Sequence, residues 1–395
     1  MYSLMAFGIY VHIPYCLQRC PYCDFATYEW TQIPPPEQYV ELVRTEIRQR
    51  AFAIPYKTVN TVYFGGGTPS LIEAPLIVSL LSELAMQGFQ IHSDAEITIE
   101  INPATITASN LDLYRRAGIN RFSVGAQTFN NSLLLAAGRK HSAEDTIATL
   151  ELLKAEGVNF SFDLLFALPK QSLSMLKLDL DLVERFAPPH VSTYCLTVPE
   201  NHPMQKGRAP EEEQLEMFAL VEDRLQQQGL LIYEISNFAK PGMESQHNLL
   251  YWTDQSYWGI GLSAHSYLRE PHWGTRFWNP STYEAYASSL SKPVVHPAAV
   301  PDFIEPEHKE LLKRHQSLTD YCHTALRLTQ GLDISLLKEK FSPSDVQAVL
   351  SRLSRLAENQ DLHQNGASCW SIGASRRSVS NRIFSELTFL ADDLE

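Results

Sequence analysis

The sequence has no apolar run of about 18 residues, the length a helix needs to cross a bilayer, so a chain that is not an integral membrane protein is expected. It has no long basic run either. Lys and Arg number 32 against 45 Asp and Glu, a formal charge of −13, which excludes a sequence-independent grip on nucleic-acid backbones. Cysteine is sparse, with six in 395 residues, too few and too scattered for a disulfide framework. The first residues, Met-Tyr-Ser-Leu-Met-Ala-Phe, carry no positively charged, signal-like segment. A cytoplasmic location is expected, where thiols stay reduced and available to metal. Low-complexity tracts are also missing. With 44% hydrophobic and 19% charged residues the composition is that of a packed globular protein.

What is there begins with short β-branched or aromatic runs alternating with amphipathic helical segments from residue 8 to about 230, the pattern of repeated βα units. Six strands are expected: 8–13, 58–64, 96–101, 120–125, 159–166 and 190–198. Between them Pro36 opens one helix, Thr107 caps another, Ser142 and Asp145 form a capping box, and a helix runs from about Glu211 to Gln228. Parallel strands of this kind present their C-terminal ends on one face, where sites collect. The fold class is α/β. Residues 1–269 form the expected core, and 270–304, with Pro271, Pro280, Pro293 and Pro297, read as a connector. Residues 305–395 read as a smaller domain, mostly helical or winged-helix-like.

The chemistry concentrates after the first strand, where Cys16, Cys20 and Cys23 stand three and then two residues apart. Three thiolates on one loop can hold three corners of a 4Fe-4S cluster and leave one iron open to a small molecule. Zinc is the alternative, but it takes four ligands and no second cysteine knuckle follows. Cys195, Cys322 and Cys369 are scattered and read, residue by residue, as small buried hydrophobes. The next element is Val62-Tyr-Phe-Gly65-Gly66-Gly67-Thr68-Pro69-Ser70, a glycine run after a strand that admits close backbone approach. No Gly-Lys-Ser/Thr follows it, so it is not a P-loop. Glu100, Gln127 and Asp163 sit near later strand ends, with Arg139 in a following loop. Further on comes His247-Asn248-Leu-Leu-Tyr251-Trp252, an imidazole able to ligate iron beside two rings able to face a macrocycle.

Together these motifs resemble the radical S-adenosylmethionine (SAM) superfamily, and more narrowly the subfamily related to oxygen-independent coproporphyrinogen III dehydrogenase. The resemblance runs from Tyr10 to about Tyr267 and implies a partial (β/α)6 barrel. It implies that Cys16, Cys20 and Cys23 hold the cluster and that Tyr10, Gly66, Glu100 and His265 belong to a first SAM site. It places Tyr22, Gly67, Thr68, Gln127, Arg139, Asp163 and Cys195 around a second one. Two departures from the dehydrogenase stand out: Asp24 and Phe25 follow Cys23 without a further cysteine, and few residues precede Tyr10. Both are similar to the HemW-type heme chaperones, in which the motif at His247 is linked to heme. This likeness implies binding of heme, cluster and SAM, an external electron donor, and transfer of heme to an acceptor protein of membrane or respiratory type. Dehydrogenase activity in porphyrin biosynthesis is the alternative.

Overall fold

The computed structural model describes residues 6–271, 273–291 and 304–394. Among them the main sheet has twelve strands. The six expected strands are present as β1 (Phe7–Ile13), β2 (Thr58–Gly66), β3 (Gln90–Ile101), β4 (Arg121–Gln127), β5 (Asn159–Phe166) and β6 (His190–Cys195). They lie side by side and parallel. Alternation sets the two faces of the wall: Phe7, Ile9, Val11 and Ile13 are buried against helices, and the intervening Gly8, Tyr10 and His12 take the opposite face.

The crossover helices are α1 (Pro36–Arg50), α2 (Ala74–Met86), α3 (Ala108–Arg116), α4 (Ala143–Ala155), α5 (Leu173–Phe186) and α6 (Glu211–Gln227). Their ends follow the local signals. Thr107 accepts from the Asn110 amide, and Ser142 and Asp145 close a reciprocal capping box. Tyr39, Val40, Val43 and Ile47 are the buried stripe of α1. A short helix α7 (Gln246–Trp252) then precedes β7 (Ser256–Ile260), a seventh parallel strand beside β1.

The stretch expected to be a connector is instead partly built into the sheet. Thr275–Trp278 pairs antiparallel with His265–Leu268 and with Lys309–Leu311, and Tyr283–Ser289 is helical. Pro271 and Pro280 flank this strand, where no ladder N–H is required of them. Pro293 and Pro297 lie outside the described residues.

The C-terminal part runs helix Arg314–Arg327, strand Leu332–Asp333, helices Ile334–Lys340 and Pro343–Glu358, then a hairpin of Leu362–Asn365 and Cys369–Ile372. That order is winged-helix-like. Its separate core includes Leu318, Cys322, Leu326, Leu353 and Ile383. The burial of Cys322 agrees with its reading as a small hydrophobe; Cys369 is only half-buried. Ion pairs Arg327–Glu234 at 3.0 Å and Lys340–Asp254 at 2.7 Å tie this domain to the barrel.

Gly331 leaves no room for a side chain. Its φ is +77°, and a Cβ there would lie 1.9 Å from the Trp370 carbonyl oxygen. Gly331→Ala is expected to destabilise the C-terminal core by about 3 kcal/mol. Limited proteolysis should then cut after residue 304 while the barrel persists, and a parent-like cleavage pattern would contradict this.

Candidate functional site

The cysteine loop leaves β1 and folds back on its own first residues. Tyr15–Cys16 pairs with Tyr28–Glu29 in a short parallel ladder. The Tyr28 amide donates to the Pro14 carbonyl and the Trp30 amide to the Cys16 carbonyl. Inside this closed loop the Cys23 amide donates to the Cys20 carbonyl at 3.1 Å, forming the turn that brings the last two thiols forward. His12 braces the loop from below: its Nε2–H donates to the Ala26 carbonyl at 2.9 Å, so its Nδ1 accepts from the Tyr10 hydroxyl at 3.0 Å. Burial lowers His12 to about 4, which keeps this imidazole neutral.

Cys16, Cys20 and Cys23 are all half-buried. Burial pushes the Cys16 thiol up to about 11 and raises Cys23, while the hydroxyls of Thr68 and Thr27 pull Cys16 the other way. Cys16 and Cys23 therefore hold their protons more firmly than free thiols, and metal binding would have to displace them. Among the described residues no group of three or more His, Cys, Asp or Glu could hold a single metal ion. A cubane sets its ligands farther apart than one ion does, because each thiolate binds a different iron. Three thiols, hydroxyl donors and one guanidinium facing sulfur are a donor set that fits such a cluster.

The glycine loop packs directly on the exit of β1. The Gly67 amide donates to the Ile13 carbonyl at 2.8 Å and the Thr68 amide to the Tyr15 carbonyl at 2.7 Å. At Gly66, with φ +111°, a Cβ would fall 2.4 Å from the His12 ring, and at Gly67 it would fall 2.6 Å from the Tyr15 carbonyl oxygen. The missing side chains thus give room to the chain's own backbone as well as to any ligand. Glu100, at the end of β3, accepts from the Tyr63 hydroxyl at 2.8 Å and from the Gly66 amide at 3.1 Å. Burial raises its pKa to about 7, with the charge of Asp163 adding to the effect.

Of the residues read as a second SAM site, Gly67 and Thr68 belong to this loop. Arg139 reaches the cysteine loop itself: Nη1 lies 3.7 Å from Cys20 Sγ, and Nη2 donates to Asn102 Oδ1 at 2.5 Å and to the Gly125 carbonyl at 3.0 Å. Tyr22 packs against a small apolar group that includes Leu133 and Leu165. Gln127 ends β4 in a left-handed conformation, φ +64°. Asp163 has its carboxyl raised by burial, and Cys195, at the end of β6, is half-buried with its thiol likewise raised by burial. His265 stands one strand beyond β7, its ring stacked on Trp278 at 5.7 Å.

His247 lies beneath this site, its ring centroid 6.4 Å from that of Tyr10. It is 1% exposed, with Nδ1 bonded to the Thr61 hydroxyl at 2.7 Å and Nε2 to the Tyr251 hydroxyl at 2.9 Å. Its ring stacks on Tyr63 at 5.1 Å, and its amide donates to Glu96. Thr61 pairs with Gly8, toward the start of β1, so α7 plugs the end of the barrel away from the cysteines. The rings expected to face a macrocycle are also engaged: Tyr251 packs edge-on to Tyr257, and the Arg327 guanidinium covers Trp252 at 4.3 Å. Burial, with the charge of Arg121 adding, lowers His247 to about 3.

The radical SAM superfamily model matches residues 10–183. The heme chaperone HemW of Bacillus subtilis is 32% identical over 384 residues, which cover 95% of this chain and 97% of that protein. HemW of Escherichia coli is 36% identical over 275 residues, 69% of this chain and 72% of that one. The chain belongs to the HemW family of radical SAM proteins. Its fold is shared with coproporphyrinogen III oxidase (HemN) of Escherichia coli, with a TM-score of 0.81 at 22% identity over 97% of this chain and 90% of that one. Among the described residues of this HemW-family chain no helix is long and apolar enough to cross a membrane.

Several residues that shape the site of this HemW relative were not singled out in the sequence. Tyr63 orients Glu100, His12 braces the loop, and Asn102 fixes Arg139. A signal for Tyr63 existed: it stands two residues before Gly65, and residues two apart on a strand share a face.

Proposed function

We propose that this chain is a heme chaperone that binds a 4Fe-4S cluster, SAM and heme, and hands heme to an acceptor protein of membrane or respiratory type. What carries the reading is its likeness to a curated heme chaperone along 97% of that protein's length. Cys16, Cys20 and Cys23 would hold the cluster, and Gly66, Glu100 and Tyr10 would position SAM beside it. A cluster bound there would supply single electrons, taken from an external donor. The rest falls to the chain's own groups. The His12 strut fixes the loop, the glycine loop presents backbone amides and carbonyls at the mouth, and Glu100 accepts hydrogen bonds there. In this reading the protein works in the cytoplasm and does not convert coproporphyrinogen III.

Heme ligation by His247 requires one ring nitrogen to leave its hydroxyl partner, Nδ1 from Thr61 or Nε2 from Tyr251, because the ring is buried and both nitrogens are bonded. In the reconstituted full chain, Tyr251→Phe is therefore expected to bind heme at least as tightly as the parent, and His247→Ala to lose it, read from the Soret band. An unchanged Soret spectrum in His247→Ala would assign the iron to another ligand. Turnover of coproporphyrinogen III under anaerobic reducing conditions would overturn the chaperone reading as a whole.

A further inference from the structure

Gly138 and Arg139 follow the short helix Asn131–Ala136 that comes after β4, and they meet the cysteine turn directly. A Cβ on Gly138, whose φ is +72°, would lie 2.7 Å from Pro21 Cδ. The Gly138 carbonyl is 3.9 Å from Cys20 Sγ. This close approach delivers the Arg139 guanidinium to one thiol of the three. Its other contacts hold it there: Asn102 Oδ1 and the Gly125 carbonyl both accept from Nη2. Asn102 is fixed in turn, its amide donating to Ser70 Oγ at 3.2 Å and its Oδ1 meeting His141 Nδ1 at 3.1 Å. The guanidinium is thus anchored to the ends of β3 and β4 and aimed at Cys20.

We propose that Arg139 serves the cluster by donating to the Cys20 corner, rather than by anchoring a second SAM. The proposal rests on the cluster reading of the loop. A cationic N–H donor at a cluster sulfur stabilises the reduced, more negative cluster and raises its potential. The fork geometry matters as well as the charge, because Arg139 reaches sulfur and its two anchors at once, which a lysine cannot do. Cys20 is thus the corner that faces a cationic donor, where Cys16 faces the hydroxyls of Thr68 and Thr27. Arg139 acts through Cys20 and is a positioning residue.

The test uses the full chain, its R139K and R139Q variants, all reconstituted anaerobically with iron and sulfide. The cluster potential is read by a redox titration followed by electron paramagnetic resonance, and bound SAM by equilibrium dialysis. R139Q is expected to shift the potential to more negative values, with R139K between it and the parent. Bound SAM should stay at one per cluster in all three. Loss of cluster from R139Q with retention in R139K also supports the proposal. A parent-like potential in R139Q overturns it, and so does bound SAM falling from two to one. A parent chain that takes up no iron and sulfide refutes the cluster reading itself, which is a separate outcome.

Discussion

Cys20→Ala is expected to reduce bound iron and acid-labile sulfide from about four of each per chain to near zero after anaerobic reconstitution. Two thiols remain, and a cubane held at two corners does not survive purification. The fold should be unaffected, since the Cys20 side chain is half-buried and belongs to none of the core clusters. Cys322→Ala makes the opposite case. That thiol is fully buried among Leu318, Leu326 and Leu353, so its removal should lower stability by about 1 kcal/mol and leave iron content alone. Iron analysis beside a thermal melt separates the two. Undiminished iron in Cys20→Ala would end the cluster assignment.

The second large effect concerns Glu100. Its carboxylate is held by Tyr63 and the Gly66 amide, where it can accept from the amino or ribose groups of SAM. Glu100→Ala is expected to weaken SAM binding by roughly 10- to 100-fold, the range for losing a hydrogen bond to a charged group. Glu100→Gln should lose less, because it keeps an acceptor. pH separates charge from shape. With the carboxyl raised to about 7 by burial, SAM affinity should climb as pH rises through 7 in the parent and stay level in Glu100→Gln. Stability moves the other way. The folded chain holds this proton up to about pH 7, whereas the unfolded carboxyl releases it near 4.5. The native state therefore binds more protons across that window, and its stability falls as pH rises from 4.5 to 7 and levels off above. Melting curves at intervals across that range, with Glu100→Gln lacking the slope, check the sign. Equal slopes in parent and variant would remove Glu100 from the account.

Much of this was legible in the sequence because the signals are local. Cysteine spacing, the glycine run, the caps at Thr107 and Ser142 and the alternation of β1 each span fewer than ten residues, and each reappears in the structure. What was not legible depends on distant partners. Tyr63 meets Glu100 across 37 positions, His247 meets Thr61 across 186, and Arg139 meets Cys20 across 119. His247 shows the limit most clearly. Its aromatic neighbours read as a platform for a macrocycle, and only the fold reveals that both nitrogens are already bonded. The strand at Thr275–Trp278 was obscured for another reason: prolines that read as punctuation of a linker turn out to border a sheet strand.

The short ladder between Tyr15–Cys16 and Tyr28–Glu29 decides which part of the cysteine loop is free to move. Main-chain bonds tie its two ends together, and the His12 strut holds the Ala26 carbonyl from within. Only the residues from Leu17 to Phe25 lie outside those ties, so Cys20 and Cys23 ride on a short tethered span while Cys16 sits at its fixed base.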